Sequence, residues 1–179
     1  MFVDTKIVNT AKYIMPTITL PPHLKASLAA GHPWVYRDHV PPSVRLASGT
    51  WVRAQSGSWT GYGLWDTRSP IAIRLFSSYA EPDALWVRER VELAWKGRAA
   101  LRQTPTSAYR LLFGEGDGLP GITVDLYNDY AVLATYADSV DVLVPLVVEA
   151  LRTVVPAVSY THLRAHETKA NLVCRLLLE

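Results

Sequence analysis

Short apolar runs separated by turn-forming residues make up most of the first half of the chain. A brief run at residues 18–20 ends at two prolines, and longer runs rich in β-branched and aromatic residues follow at 50–54, 59–64 and 71–76. Gly and Ser clusters or a Ser-Pro pair lie between them. Several short strands with such turns predict a small barrel or sandwich. One helical piece, HLKASLAA, is expected before Gly31, which would cap it in the left-handed conformation.

The second half begins with a helical pattern and returns to strands. Apolar residues recur every three or four positions after Asp83, which suits a helix N-cap, and the periodicity predicts about five turns ending before Thr104-Pro105. Strands are predicted at 109–113, 121–126 and 130–136, with a tight turn at Asn128-Asp129. Residues 141–155 are predicted to form a helix with Pro145 in its first turn. The fold class is therefore α+β, a small β barrel or sandwich followed by an α/β segment.

Charge is divided unevenly along the 179 residues. Residues 1–80 hold eight Lys or Arg against three acids, a net charge of +5, whereas residues 81–157 hold seven against eleven, a net charge of −4. A basic half suggests a polyanionic partner, although a solvated surface would give the same count. No stretch reaches the roughly 18 apolar residues of a membrane helix and no secretory signal is present, so we expect a cytoplasmic protein without a membrane partner.

The stretch GEGDGLPG contains Gly116, Gly118 and Gly121 in the spacing of a dinucleotide-binding motif. That motif must open a helix whose N-terminus meets the pyrophosphate, but ITVDLY follows here and predicts a strand. The simpler interpretation is a multi-glycine turn between two strands, with Glu115 and Asp117 as carboxylates that could contact a cofactor, RNA or a neighbouring domain. A nucleotide-dependent oxidoreductase would require a helix after Gly121.

Both ends of the chain are predicted to be extensions of the natural sequence. The strings VSYTHLRAHET and LVCRLLLE, separated by three residues, resemble one reading frame of a transposase-type sequencing adapter, so residues 158–179 are predicted to be an adapter-derived tail that packs arbitrarily; the alternative is an amphipathic C-terminal helix. The tail contains His162, His166 and Cys174, the only cysteine, so no metal cluster or cysteine nucleophile is assigned. Residues 1–14 are expected to be a leader outside the fold, with Met15 as the natural start.

Four strings together resemble a known family: GHPWVYRDHV at 31–40, YGLWDTRSPIAIRLF at 62–76, the end of the first long helix, and above all YRLLFGEGDGLPGITVDLY at 109–127. They resemble the class I S-adenosylmethionine-dependent methyltransferases that make 5-methylcytosine in large-subunit (23S) ribosomal RNA. The resemblance implies an RNA-binding PUA domain at residues 15–80 and part of a central α/β domain at 81–157. It implies that the Rossmann-like domain with the methyl donor and catalytic cysteine is absent, so no cofactor is expected in this fragment.

Five basic residues are the candidates for binding RNA phosphates: Lys25, Arg37, Arg53, Arg68 and Arg74. Three tryptophans, Trp34, Trp59 and Trp65, could stack on a base where they are exposed, but most of them are expected to be core residues of the small barrel. No catalytic, cofactor-binding or metal-binding residue is assigned. Two hypotheses remain open: an inactive, RNA-binding part of a ribosomal RNA methyltransferase, or a freestanding PUA-like RNA-binding or interaction module.

Overall fold

Two β-sheets, packed side by side, form the framework of the protein. The structure is a computed structural model that describes residues 15–156 and 159–164, so the expected leader at 1–14 lies outside the described residues. The first sheet has five strands in the order β1-β3-β4-β5-β2, and the second has four in the order β6-β7-β8-β9. The predicted α+β class is confirmed.

The first sheet curls around a small apolar core. Its strands, in chain order β1 to β5, are Thr17–Thr19, Trp34–Tyr36, Trp51–Ser56, Trp59–Trp65 and Ile71–Ser77. All neighbours are antiparallel except β1, which runs parallel to β3. Along β3 the buried positions alternate strictly, with Val52 and Ala54 fully inside, as a strand with one solvated face requires.

A short helix closes one end of this sheet. The 3-10 turn Pro22–Leu24 leads into α1, Lys25–Ala29, and Leu28 of this helix enters the core. The chain then reverses at Gly31, whose φ of +93° places it in the left-handed region, while the His32 backbone N–H donates to the Ser27 carbonyl at 3.1 Å. The predicted glycine cap is confirmed, because this pattern satisfies carbonyls at the helix end.

The second sheet carries two helices on one face. The elements are α2 (Ala84–Gly97), β6 (Ala108–Phe113), β7 (Ile122–Tyr127), β8 (Tyr130–Thr135), α3 (Val144–Val154) and β9 (Ser159–Arg164). Inward residues of the strands and of both helices form a shared core. Pro145 lies in the first turn of α3, and Asn128, with φ of +51°, occupies the two-residue turn between β7 and β8, as predicted. Among the described residues, no helix is long and apolar enough to cross a membrane.

Helix α2 is shorter than the periodicity predicts. Its start is confirmed, because the Asp83 carboxylate accepts a hydrogen bond from the Trp86 backbone N–H at 2.8 Å. It ends at Gly97 after 14 residues, whereas we expected about five turns. Glycine is a poor helix former, and Arg98, which leaves helical geometry at φ −97° and ψ 14°, directs its guanidinium to the glycine-rich loop. The later apolar residue, Leu101, starts a separate 3-10 turn, Leu101–Gln103.

The segment from residue 158 onward is partly described. We expected no specific packing there, but Ser159–Arg164 forms β9, which pairs in parallel with all six residues of β8. The outer edge of β8 offers unpaired backbone groups, which can template any extended segment rich in β-formers, so this pairing does not require a selected fit. Arbitrary packing of the tail stays a prediction. Residues 165–179, which hold the rest of the tail, lie outside the described residues, and the adapter origin stays a prediction.

Candidate nucleic-acid interface

Three of the five candidate phosphate ligands are exposed on the first sheet. Lys25 lies on α1 beside the turn between β3 and β4, where its Cδ is 3.5 Å from the position that a Cβ on Gly57 would take. Arg53 projects from β3, and its Nε donates to the Thr17 hydroxyl at 3.3 Å. Arg68 lies in the loop after β4. Because Lys25 and Arg68 are at opposite ends of β4, about 20 Å apart, they would meet different phosphates of one strand.

Arg37 is committed to the fold rather than free for a ligand. Its Nη2 donates to the Ser69 carbonyl at 2.8 Å and to the Asp66 carbonyl, and its Nε donates to the Ser69 carbonyl at 3.0 Å. The guanidinium also lies over the Trp65 ring, 5.2 Å from its centre. These contacts use the side chain to hold the β4–β5 loop, and the assignment of Arg37 as a phosphate ligand stays a prediction.

Arg74 is buried, and its assignment as a phosphate ligand is corrected for that reason. Only 6% of the residue is exposed, and its Nη1 lies 3.4 Å from the Asp66 carboxylate and 3.5 Å from the Ser139 hydroxyl. Burial lowers the pKa of Arg74, although the Asp66 charge works in the opposite direction. Since Ser139 belongs to the second half of the chain, Arg74 joins the two sheets instead of facing solvent.

The Asp66 carboxylate compensates the buried positive charge of Arg74. It is 2% exposed and accepts hydrogen bonds from the backbone N–H groups of Arg68 at 3.0 Å and Ser69 at 2.8 Å. Burial by itself raises the pKa of Asp66, but these hydrogen bonds and the Arg74 charge outweigh it, so the pKa lies below its ordinary value.

The lowered pKa of Asp66 predicts a specific acid sensitivity. A carboxyl whose pKa is lower in the folded state stabilises the fold above its unfolded-state pKa, about 3.9, and this contribution is lost as pH falls through the folded value. We expect Asp66→Asn to be less stable than wild type at pH 7 and the difference to shrink as pH falls below about 4. Urea denaturation from pH 7 to pH 3 measures this, and a constant difference would contradict it.

The three tryptophans differ in what they can offer a base. Trp65 is 3% exposed and is a residue of the first core, as expected for most of the three, so it is not available for stacking. Trp34 and Trp59 are half-buried. The Trp59 ring packs on Gly61, where an added Cβ would lie 2.4 Å from the Trp59 Cη2 atom. That glycine therefore makes the space in which the ring is held.

The glycine-rich segment is a turn between two strands, as the simpler interpretation predicts. The 3-10 turn Gly114–Asp117 follows β6, and Gly114, Gly118 and Gly121 all have positive φ. Strand β7 comes next, so the loop does not open a helix and a nucleotide-dependent oxidoreductase built on it is excluded.

The two loop carboxylates are bound by other parts of the chain. The Asp117 oxygens accept from Arg98 Nη1 and Nη2, each at 2.6 Å, and Oδ2 also accepts from the Phe113 backbone N–H at 2.7 Å. Glu115 Oε1 accepts from Trp34 Nε1 at 2.9 Å. Of the roles left open for these residues, the structure therefore shows contact with a neighbouring element: Asp117 holds the loop to the end of α2, and Glu115 connects it to the first sheet.

An aromatic face of the second sheet was missed in the sequence. The face opposite the helices carries the exposed side chains of Phe113, Tyr127 and Tyr130, beside a bidentate pair in which both Arg110–Asp125 hydrogen bonds are 2.8 Å long. The hydrogen bond to Asp125 is the main cause that raises the pKa of Arg110. Alternation along β7 and β8, with tyrosine at outward positions, is the signal that could have revealed this face.

Residues 18–78 match the family model of a PUA-like domain. The first sheet with its short helix is therefore a PUA-like domain, which confirms the fold expected for this part of the chain.

Sequence similarity extends beyond that domain. Over 122 residues the chain is 37% identical to ribosomal RNA large subunit methyltransferase I of Shewanella denitrificans. The alignment covers 64% of this chain and 31% of that relative. The corresponding protein of Tolumonas auensis is 34% identical over 122 residues, covering 65% of this chain and 31% of its own length. The chain thus spans about a third of the length of the curated relatives it matches.

Solved structures share the fold at low identity. A Streptococcus mutans protein assigned as a SAM-dependent methyltransferase superposes with a TM-score of 0.75 at 19% identity, covering 84% of this chain and 41% of that protein. A second structure, assigned as a methyltransferase complexed with SAH, gives the same TM-score and identity, and 40% of it is covered.

Proposed function

We propose that this chain is the RNA-binding part of an S-adenosylmethionine-dependent methyltransferase that acts on large-subunit ribosomal RNA in the cytoplasm. The observation that carries the proposal is the PUA-like domain at 18–78 within a chain similar to ribosomal RNA large subunit methyltransferase I. The similarity covers 122 residues and so continues past the PUA-like domain. This extent favours the methyltransferase over a freestanding RNA-binding module.

In this proposal the PUA-like domain binds RNA through backbone phosphates. Lys25, Arg53 and Arg68 are exposed on it, and no acidic side chain among the described residues is paired with them in a salt bridge. Phosphate contacts of this kind position RNA without reading its sequence. The target is assigned as cytosine C5 on the family resemblance alone.

We assign binding of the methyl donor to the longer methyltransferase of which this chain would be a part. The glycine-rich loop described above does not have the geometry of a donor-binding site. The one glycine-rich loop with a suitable spacing leads into β7, so it presents no helix N-terminus to a nucleotide. We therefore assign no donor-binding residue in residues 15–156 or 159–164, and no catalytic step is derived from them.

Salt dependence of RNA binding tests the proposal. Three phosphate contacts should give a log-log salt slope of roughly −2.1 to −2.7, so the affinity should fall about 20- to 40-fold between 50 and 200 mM salt. Replacing Lys25, Arg53 and Arg68 with alanine should weaken binding to all RNA sequences and flatten the slope. Fluorescence anisotropy with a labelled RNA hairpin measures both.

The matched control removes the same charge elsewhere. Arg88, Arg102 and Arg152 are exposed on the second half of the chain, and replacing all three with alanine should change the slope little. Equal weakening by the two triple variants would show that only net charge matters. Absence of RNA binding at 50 mM salt, with circular dichroism showing a folded protein, would refute the proposal.

A further inference from the structure

A groove lies where the PUA-like domain meets the glycine-rich loop of the second sheet. Its volume is about 260 Å³, and its walls include Ala29, His32, Trp59, Ser77, Glu115 and Pro120. Pockets for drug-sized ligands begin at about 300 Å³, so this groove suits a single flat ring better than a whole nucleotide cofactor.

One wall offers a fixed aromatic surface. Trp59 is half-buried at the start of β4 and rests on Gly61, which leaves no room for a Cβ beneath the ring. An indole held in this way loses little side-chain entropy when a ligand stacks on it. Stacking of a base on an aromatic side chain is a recurrent source of affinity in single-stranded RNA recognition.

Another wall offers a hydrogen-bond acceptor held by the glycine-rich loop. Glu115 belongs to the 3-10 turn Gly114–Asp117, which is anchored by the Asp117–Arg98 pair. Its Oε1 accepts the Trp34 indole N–H at 2.9 Å, and within the described part of the chain no hydrogen bond reaches Oε2. A carboxylate repels phosphate but accepts N–H groups, so the preferred partner at this wall is an N–H donor.

Lys25, one of the proposed phosphate ligands, lies near the groove. Lys25 lies one helical turn before Ala29 on α1 and beside Gly57, two residues before Trp59. A strand whose phosphate meets Lys25 would thus bring its neighbouring base to the Trp59 and Glu115 walls. A positive charge at Lys25 and the exposed carboxylate of Glu115 in the groove wall match the phosphate and the amino edge of one nucleotide.

We propose that this groove binds one unpaired RNA base that carries an exocyclic amino group, stacked on Trp59 and donating to Glu115. The inference rests on the proposed RNA-binding function and adds base selection to it. Cytosine, adenine and guanine present such an amino group, whereas the single N–H of uracil lies between two carbonyl oxygens that repel a carboxylate. Carboxylate side chains read the cytosine amino group in the same manner in duplex grooves.

The test compares labelled hexacytidine and hexauridine on the full chain by fluorescence anisotropy. We expect wild type to prefer hexacytidine by about fivefold or more. Glu115→Gln keeps an oxygen for the Trp34 N–H and replaces the other acceptor with an NH₂ donor, so the preference should disappear or reverse toward hexauridine. Glu89→Gln removes the same charge from an exposed position on α2 and should retain the wild-type ratio.

The possible outcomes distinguish base selection by the groove from RNA binding in general. Equal binding of both oligomers with the expected salt slope would overturn base selection and leave the RNA-binding function standing. An unchanged ratio in Glu115→Gln would overturn the role of the carboxylate. Failure of every RNA to bind the folded protein would overturn both proposals, and the hairpin titration would show this independently.

Discussion

Replacing Arg74 with alanine is expected to lower the free energy of unfolding by about 3–5 kcal/mol, a large part of the stability of most domains. Arg74 is 6% exposed, and its guanidinium lies 3.4 Å from the carboxylate of Asp66, which is 2% exposed. Removing it would leave the carboxylate buried without its cation, and Ser139 would lose a hydrogen-bond partner from the other sheet. The loss would arise mainly from the uncompensated charge that remains, rather than from the attraction of the pair.

Urea denaturation of wild type and Arg74→Ala at pH 7 measures this difference. The control is Arg88→Ala, which breaks the exposed pair with Glu92 on α2, where the closest nitrogen–oxygen distance is also 3.4 Å. Because both partners of that pair are solvated, its loss should cost no more than about 0.5 kcal/mol. Equal effects at the two positions would show that Arg74 is solvated in solution.

Two identical substitutions of glycine should change stability in opposite directions. In β4, a Cβ on Gly63 would lie 2.4 Å from the Arg74 carbonyl oxygen and 3.0 Å from the Arg74 carbonyl carbon. Both atoms are backbone of the paired strand β5, so the sheet itself must shift, and we expect Gly63→Ala to lose about 3 kcal/mol or more. At Gly97, the last residue of α2, no atom lies within 4 Å of the added Cβ, and alanine should gain about 0.5–1 kcal/mol.

Thermal and urea unfolding of the two variants provide the comparison. The chemical change is the same, so any general effect of alanine on the unfolded chain cancels between them. A Gly63→Ala protein as stable as wild type would mean that the β4–β5 pairing can open without cost. A loss at Gly97 would mean that the end of α2 needs a conformation that alanine resists.

Local features of the fold could be predicted because a few adjacent residues decide them. The Asp83 cap, the Gly31 reversal and the turn at Asn128 each depend on backbone geometry that one residue type favours. The non-Rossmann context of the glycine-rich loop followed in the same way from the β-branched residues after Gly121. These preferences act within a few residues and survive whatever the rest of the chain does.

Partners distant in sequence could not be predicted. On β5, four consecutive residues from Ala72 to Leu75 are buried, because one face packs inside the PUA-like domain and the other against the second sheet. The alternation of apolar and polar residues along β5 therefore could not predict that Arg74 is buried. The Arg98–Asp117 and Trp34–Glu115 contacts join residues 19 and 81 positions apart, and only the folded topology brings them together.

The packing of β4 shows that the PUA-like segment and the packed cores do not share the same boundary. Leu64 lies within the PUA-like segment, yet it is fully buried in the core of the second sheet, and Trp51 and Phe76 pack against that same core. The PUA-like segment thus ends near residue 78, whereas its Leu64 is buried in the core of the second sheet. The segment that evolution transfers between proteins need not be the segment that unfolds as one cooperative body. If the PUA-like segment were joined to another protein, that protein would have to provide an apolar surface to cover Leu64.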